Sequence, residues 1–228
     1  QQLNAKGCGP IGVDGGFGDD TFNAVQLFQT RFDDANGNPL STDGIVGPAT
    51  WASLFGAATV PPVVTAPSAL LAEVVRIAGT HVGVMENPLG SNSGPEVNAY
   101  LANVGLGPGF SWCMAFVYSC FKEACANLGT ANPMFKTGGV LNEWENTTGT
   151  KILHGDAVDN PSLVLPGQIF IISTGGGHGH TGIVEKVVSG LMTTIEGNTN
   201  TGGSSNGIGV FRRNARSINS INVGFIQH

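Results

Sequence analysis

The sequence predicts an α+β domain preceded by a small all-α domain, and three observations carry that reading. A turn motif occurs twice near the start, each copy opening a helical pattern. A proline-rich stretch without charge follows. Beyond it the apolar residues keep a helical period as far as Leu128 and turn to strand-like runs rich in Ile, Val and Thr after Leu165. Helices first and strands after is the α+β order. The expected boundaries are a helical domain over 1–56, a linker over 57–67 and the α+β domain over 68–228.

The elements follow in order. Asp14-Gly15-Gly16-Phe17-Gly18-Asp19-Asp20-Thr21 aligns with Asp43-Gly44-Ile45-Val46-Gly47-Pro48-Ala49-Thr50, sharing Asp, both Gly and Thr. Thr21 is expected to cap a helix carrying Ala24, Val25, Leu27, Phe28 and Phe32, and Thr50 one carrying Trp51, Leu54 and Phe55. Gly-Ala-Ala-Thr-Val-Pro-Pro-Val-Val-Thr-Ala-Pro reads as a semi-extended linker. Ser68 then caps a helix with Leu70, Leu71, Val74, Val75 and Ala78 on one stripe. Pro95 starts the next helix, through Val97, Tyr100 and Leu101. Ser111 is expected to cap a third, with Cys113, Phe116, Val117, Cys120, Phe121 and Ala124 on one face and Gly129 as its stop. Gln168–Ser173, Thr181–Val188 and Leu191–Ile195 read as strands.

Composition narrows the function classes. The 228 residues carry 35 Gly and only 11% charged residues, against a usual ~25%. With 41% hydrophobic residues the chain can build a core, and without a three-residue Gly period it is not collagen. The net charge of −6 disfavours nucleic acid, whose binding needs clustered Lys and Arg. No apolar run approaches the ~18 residues of a spanning helix. Four cysteines, three of them crowded at 113, 120 and 125, are too few for a disulfide scaffold. No cofactor or metal is expected: His178 and His180 could be zinc ligands, but a third and fourth with familiar spacing are missing. A monomer is expected. The chain opens Gln1-Gln2-Leu3, without Met or leader, which with the sparse charge points to a secreted or wall-located product; a phage lysin fits the same residues.

The chemistry centres on Cys113. Near a helix start, unpaired N–H groups and the helix dipole favour thiolate, a strong nucleophile. Cys8, Cys120 and Cys125 read as buried packing residues. A nucleophilic cysteine needs a base. His228, His81 and His154 read as terminal, helical and loop residues, which leaves His178 and His180 where a Gly-rich loop enters a strand. His180 is preferred, because His178 lies in the loop itself. A three-residue hairpin loop, Val188-Ser189-Gly190, puts His180 opposite Asn198 and Gly182 opposite Glu196, so that His180, Glu196 and Asn198 share a face. A two-residue loop would send Glu196 to the other face. Cys, His and an orienting carboxylate or amide form the papain-like arrangement for acyl transfer.

At these residues the chain resembles a known family. Trp112-Cys113-Met114-Ala115-Phe116-Val117, Pro166-Gly167-Gln168-Ile169-Phe170, Gly179-His180-Thr181-Gly182-Ile183-Val184 and Glu196-Gly197-Asn198 are together similar to a CHAP domain. The resemblance implies a papain-like cysteine fold that cleaves peptidoglycan as an amidase or endopeptidase. It implies Cys113 as nucleophile, His180 as base and Glu196 and Asn198 as orienting residues, with Trp112 beside the substrate. Gln168 departs from the family's frequent Asp after Pro-Gly and is expected at a turn or strand start. The repeat in 1–56 is similar to a peptidoglycan-binding domain of three short helices, whose first helix would fall before and around Leu3. Its ligand site is carried onto Asp14, Phe17, Asp43 and Trp51, which could equally just hold the loops.

Both resemblances imply peptidoglycan as the partner, through hydrogen bonds and stacking rather than long-range attraction. Arg212, Arg213 and Arg216 are the one basic cluster, either meeting stem-peptide carboxylates or forming a solvated turn. Two rivals remain. An NlpC-type D,L-endopeptidase usually shows Asp-Cys-Ser and a His as third member, unlike Trp112-Cys113-Met114 and Glu196. A non-catalytic peptidoglycan-binding protein would not need all four residue types of the site.

Overall fold

The computed structural model describes residues 1–34, 36–56, 64–188, 191–200 and 206–228. Residues 57–63 of the expected linker, and Ser189 and Gly190 of the expected hairpin loop, lie outside the described residues. The chain forms two compact units, Gln1–Val63 and Val64–His228.

Among the described residues the first unit holds three helices, α1 (Gln2–Ala5), α2 (Asp19–Arg31) and α3 (Pro48–Phe55). Leu3, Cys8, Ala24, Val25, Phe28, Leu40 and Leu54 form its core, with Ile11, Phe17, Phe32 and Val46 packed on the rim. The helix starts differ from expectation. Gly18 and Gly47 are the N-caps, and Thr21 and Thr50 fall within the first turn. Asp19 and Asp20 then complement the helix dipole of α2, and Pro48 supplies the preset φ that opens α3.

The second unit begins with α4 (Ala69–Thr80), α5 (Pro95–Asn103), α6 (Cys113–Leu128) and α7 (Val140–Asn146). Strand β1 (Thr150–Leu153) and α8 (His154–Asp159) precede β2 (Ile169–Gly175), β3 (His178–Val188), β4 (Leu191–Thr199), β5 (Gly209–Ser217) and β6 (Gly224–Gln227). Ser68 caps α4 by accepting from the Leu71 N–H at 3.1 Å. Pro95 opens α5, and Gly129 ends α6 with φ +66°. Ser111 does not cap α6. Trp112 holds the N-cap position without a side-chain bond, so Cys113 is the first helical residue.

The strands form one antiparallel sheet in the order β1-β6-β2-β3-β4-β5. Alternation along them separates two cores. Ile169, Ile171, Ile183 and Ile195 join α4, α5 and α6, while Phe170, Val184, Met192 and Phe225 join the core that includes Ala157 of α8. His154, expected in a loop, starts α8, where its Nδ1 lies 2.7 Å from the Ile221 carbonyl oxygen. Gln168 is wholly buried at the turn into β2, accepting from the Leu165 N–H and donating to the Leu163 carbonyl and to Gln227.

The hairpin that sets the site differs from expectation in an instructive way. Val188 pairs with Leu191, which leaves two residues between the strands rather than three. That register alone would put Glu196 on the wrong face. A β-bulge at Glu185 corrects it: beyond the bulge Val184 pairs with Thr194 and Ile183 with Ile195. The expected alternation is thus reached by a different device.

Candidate active site

Three side chains, Cys113, His180 and Glu196, come together at the open end of the β3–β4 ladder. The ladder stops at Ile183 paired with Ile195. His180 and Glu196 project from the face that carries Phe170, whose ring centroid is 6.0 Å from that of His180. Their bond spans 2.8 Å, from His180 Nε2 to Glu196 Oε2, and both residues are buried. A carboxylate can only accept, so Nε2 carries the hydrogen and Nδ1 presents a lone pair when the ring is neutral. Nδ1 is buried and closes no hydrogen bond. The Cys113 side chain acts on this ring, and its Sγ stands 4.0 Å from the Gly179 carbonyl oxygen.

Two glycines make room for this arrangement. A Cβ on Gly182 would stand 2.7 Å from Glu196 Cγ, so only a bare backbone lets Glu196 cross toward His180. On the other face of the sheet, a Cβ on Gly197 would stand 2.7 Å from Phe116 Cβ and 2.8 Å from Trp112 Cζ3. Gly197 therefore lets the first turn of α6 lie directly on β4.

The electrostatics are those of an interior ion cluster. Burial pulls the His180 imidazole down, but its interactions with Cys113 and with the carboxylate of Glu196 outweigh it and raise it to about 9. Burial pushes Glu196 up, and the His180 bond, the Arg216 charge and Thr194 bring it down to about 2. Thr194 Oγ1 donates to Glu196 Oε1 at 2.6 Å. Arg216 donates from Nε to Oε1 at 2.9 Å and from Nη2 to Oε2 at 3.0 Å. Arg213 reaches Oε2 at 3.5 Å. The arginine cluster lies on β5 and divides: Arg213 and Arg216 serve Glu196, whereas Arg212 stays at the surface, 44% exposed, and forks onto Glu185 at 2.6 and 2.8 Å.

The remaining expected residues divide. Asn198 is fully buried with φ +54°, and its side-chain amide has no hydrogen-bond partner. It does not bond His180; the left-handed backbone takes it out of the alternation that would have placed it there. Trp112, expected beside the substrate, is wholly buried and donates its indole N–H to Glu86 Oε1 at 2.8 Å. It has no surface to offer a ligand, and instead anchors the residue before Cys113. Glu86, also buried and with Oε2 unpartnered, was missed in the sequence because an isolated acid ahead of Asn-Pro gives no periodic signal. His178 is exposed at the β3 start, opposite Gly175.

In the first unit, Asp14 Oδ1 accepts from the Gly16 N–H and Asp43 Oδ1 from the Ile45 N–H, both at 2.9 Å. Both acids thus close turns. Phe17 packs on the core rim, and Trp51 stands against Phe55 with ring centroids 4.4 Å apart. The residue that ties the second loop down is Gln29. Its Nε2 donates to Asp43 Oδ1, the Ile45 carbonyl and Thr50, and its Oε1 accepts from the Gly44 N–H. Its place on the Val25–Phe28 stripe was the available clue. Among the described residues no three His, Cys, Asp or Glu side chains converge as a metal site requires, and no helix is long and apolar enough to cross a membrane.

Residues 105–198 match the family model described as CHAP domain, a span that holds Cys113, His180, Glu196 and Asn198. Residues 1–54 match the one described as "Putative peptidoglycan binding domain". The chain carries a CHAP domain behind a peptidoglycan-binding domain. No curated protein and no solved structure matches it. The CHAP domain implies peptidoglycan hydrolysis, by amidase or endopeptidase activity, and the first domain gives peptidoglycan as a partner. Two wall-acting domains are consistent with a secreted or wall-associated protein.

Proposed function

We propose that the CHAP domain cleaves amide bonds of peptidoglycan through a thioester on Cys113, with His180 as base and acid. One observation carries this reading: His180 Nε2 is committed to Glu196 at 2.8 Å, which leaves the unbonded Nδ1 as the ring's basic nitrogen, and Cys113 is the other side chain that acts on the ring. Nδ1 takes the thiol proton and Sγ attacks the amide carbonyl. The Cys113 N–H, at the open end of α6, donates to the oxyanion. The imidazolium then protonates the leaving amine as the C–N bond breaks. Water gives its proton to Nδ1, adds to the thioester, and the acid departs with the thiol restored. Glu196 stays ionised throughout and holds the ring tautomer.

The binding domain raises the local concentration of the hydrolase on an insoluble polymer. Of its four expected contact residues, Asp14 and Asp43 are engaged in turns and Phe17 in packing. We assign the stacking surface to Trp51, half-buried beside the exposed ring of Phe55. Secretion and a role as autolysin or phage lysin belong to the same reading.

The test is digestion of purified peptidoglycan by the parent and by Cys113→Ser, with released ends identified by mass spectrometry. The serine variant is expected to lose at least about a thousandfold. New N-termini at the first stem alanine mean an amidase, and other N-termini an endopeptidase. Undiminished cleavage by Cys113→Ser would end the thiol mechanism.

A further inference from the structure

We infer that Arg216 is a positioning residue of this site: forked across Glu196, it holds the carboxylate fixed and ionised so that His180 keeps Nε2–H bound and works through Nδ1. The inference rests on the reading of Cys113 and His180 as nucleophile and base.

The first argument is geometric. Arg216 occupies one lone pair on each oxygen of Glu196, and Thr194 and His180 take further positions, one on each oxygen. A fork of this kind fixes the plane of the carboxylate as well as its position, which a single donor cannot do. The Arg216 side chain is only 9% exposed, and its guanidinium lies 4.8 Å from the centre of the Phe170 ring. An arginine so placed is not a solvated surface charge.

The second argument is topological. Arg213 and Arg216 differ by an odd number of positions, so a regular strand would point them to opposite faces. Thr194 pairs with Arg213, but Met192 pairs with Arg216, which puts an extra residue in β5 between them. That bulge turns both arginines to Glu196. Bulges next to active sites commonly re-aim a side chain.

The third argument is chemical. His180 alternates between imidazole and imidazolium during acyl transfer. A buried carboxylate beside an imidazolium, with no other cation, is prone to take the proton and release its hold on the ring. Arg216 makes the anion the favoured form in both states. The charged groups around the pair are accounted for. His180 faces Cys113 from α6 and Glu196 from β4, and Glu196 also faces Arg213 and Arg216 from β5. In α7 the buried Glu143 turns to His228, at 3.4 Å. In α4, Glu73 and Arg76 pair with each other at 2.7 Å, and farther along α6 Glu123 meets His81 at 3.3 Å. Strand β2 has no ionisable side chain.

Two variants of the full chain test this. Arg216→Gln removes the charge, and Arg216→Lys keeps it without the fork. The His180 ring is titrated by NMR, and kcat and KM are measured on soluble peptidoglycan fragments across pH. With Arg216→Gln the carboxylate keeps only Arg213 of its two arginines, at 3.5 Å, and the lost charge should move the His180 titration upward by roughly one unit, and the alkaline limb of kcat with it. Arg216→Lys should leave the titration in place but lower kcat about tenfold or more, with KM within about twofold. Coincident His180 titrations in the parent and Arg216→Gln would overturn the inference, as would a Lys variant with parental kcat. The Lys result decides alone if the Gln variant does not fold. A structural role alone would lower the folded yield and move neither limb. Cleavage surviving in Cys113→Ser would instead strike the catalytic reading, and the titrations would still stand.

Discussion

His180 has one nitrogen bound and one unbonded, and that asymmetry governs what each neighbouring residue is worth. Glu196→Gln replaces a charged acceptor by an amide at the bound nitrogen and is expected to lower kcat at least about a hundredfold. Asn198→Gly, which suits a backbone at φ +54°, should cost less than about tenfold because the amide bonds nothing. Kinetics on soluble fragments rank the two. Exposure does not separate the cysteines, at 3% for Cys8 and Cys113, 2% for Cys125 and 0% for Cys120. Faster alkylation of Cys113 by iodoacetamide at about pH 6.5 would therefore report the adjacent imidazole. The pH dependence of stability follows from the same pair. His180 is raised from 6.5 to about 9, so its contribution is present below the lower value and lost as pH rises through the higher. Glu196 is lowered from 4.5 to about 2, so its contribution is present above the first and lost as pH falls through the second. The parent's urea midpoint, relative to that of His180→Gln, is expected to be highest between those ranges and to fall on either side. At this scale Cys113, His180 and Glu196 were legible because nucleophile, base and carboxylate are rare types near helix starts and Gly-rich strands. Gln29, Glu86 and Arg216 were not, since each acts by holding another residue and no motif marks that role.

Elements place these residues through two bulges and two glycines. Deleting Glu185 removes the β3 bulge and turns Glu196 away from His180. Hydrolysis should disappear, and inserting one residue between Val188 and Leu191 should restore part of it, a rescue that a merely unfolded variant would not show. Gly197→Ala drives a methyl into Phe116 and Trp112 and should cost about 1–3 kcal/mol, read as a lower urea midpoint together with reduced kcat. Helices α4, α5 and α6 were read from the sequence because stripes, caps and stops mark them, as at Ser68, Pro95 and Gly129, whereas the short α7 and α8 escaped notice. The helix starts at Gly18, Gly47 and Trp112 were misread because Ser or Thr stood nearby and competed for the role. Strands β1, β5 and β6 escaped notice. Two are only four residues long, and β5 carries Arg-Arg-Asn-Ala-Arg, whose polar side chains hide a strand that is nonetheless paired along its length.

The whole molecule is two units, each with its own core. The first core is small, and Phe28 is wholly buried in it against Phe32, with centroids 4.5 Å apart. Phe28→Ala should cost about 3–5 kcal/mol, a large share of the stability of a domain this size. Sedimentation with insoluble peptidoglycan should fall while hydrolysis of soluble fragments persists. The repeated Asp-Gly motif and the proline-rich stretch made this partition legible. The sheet order was not, because β6 inserts between β1 and β2 from far along the chain.

The Glu185 bulge also has a consequence for descent. A lineage could lose that residue only together with a gain of one position at the turn, since either change alone reverses every side chain between them and the site. Insertions and deletions in this hairpin should therefore be inherited as compensated pairs. In an alignment of related chains, turn length and bulge presence should change together, while the spacing from His180 to Glu196 stays constant.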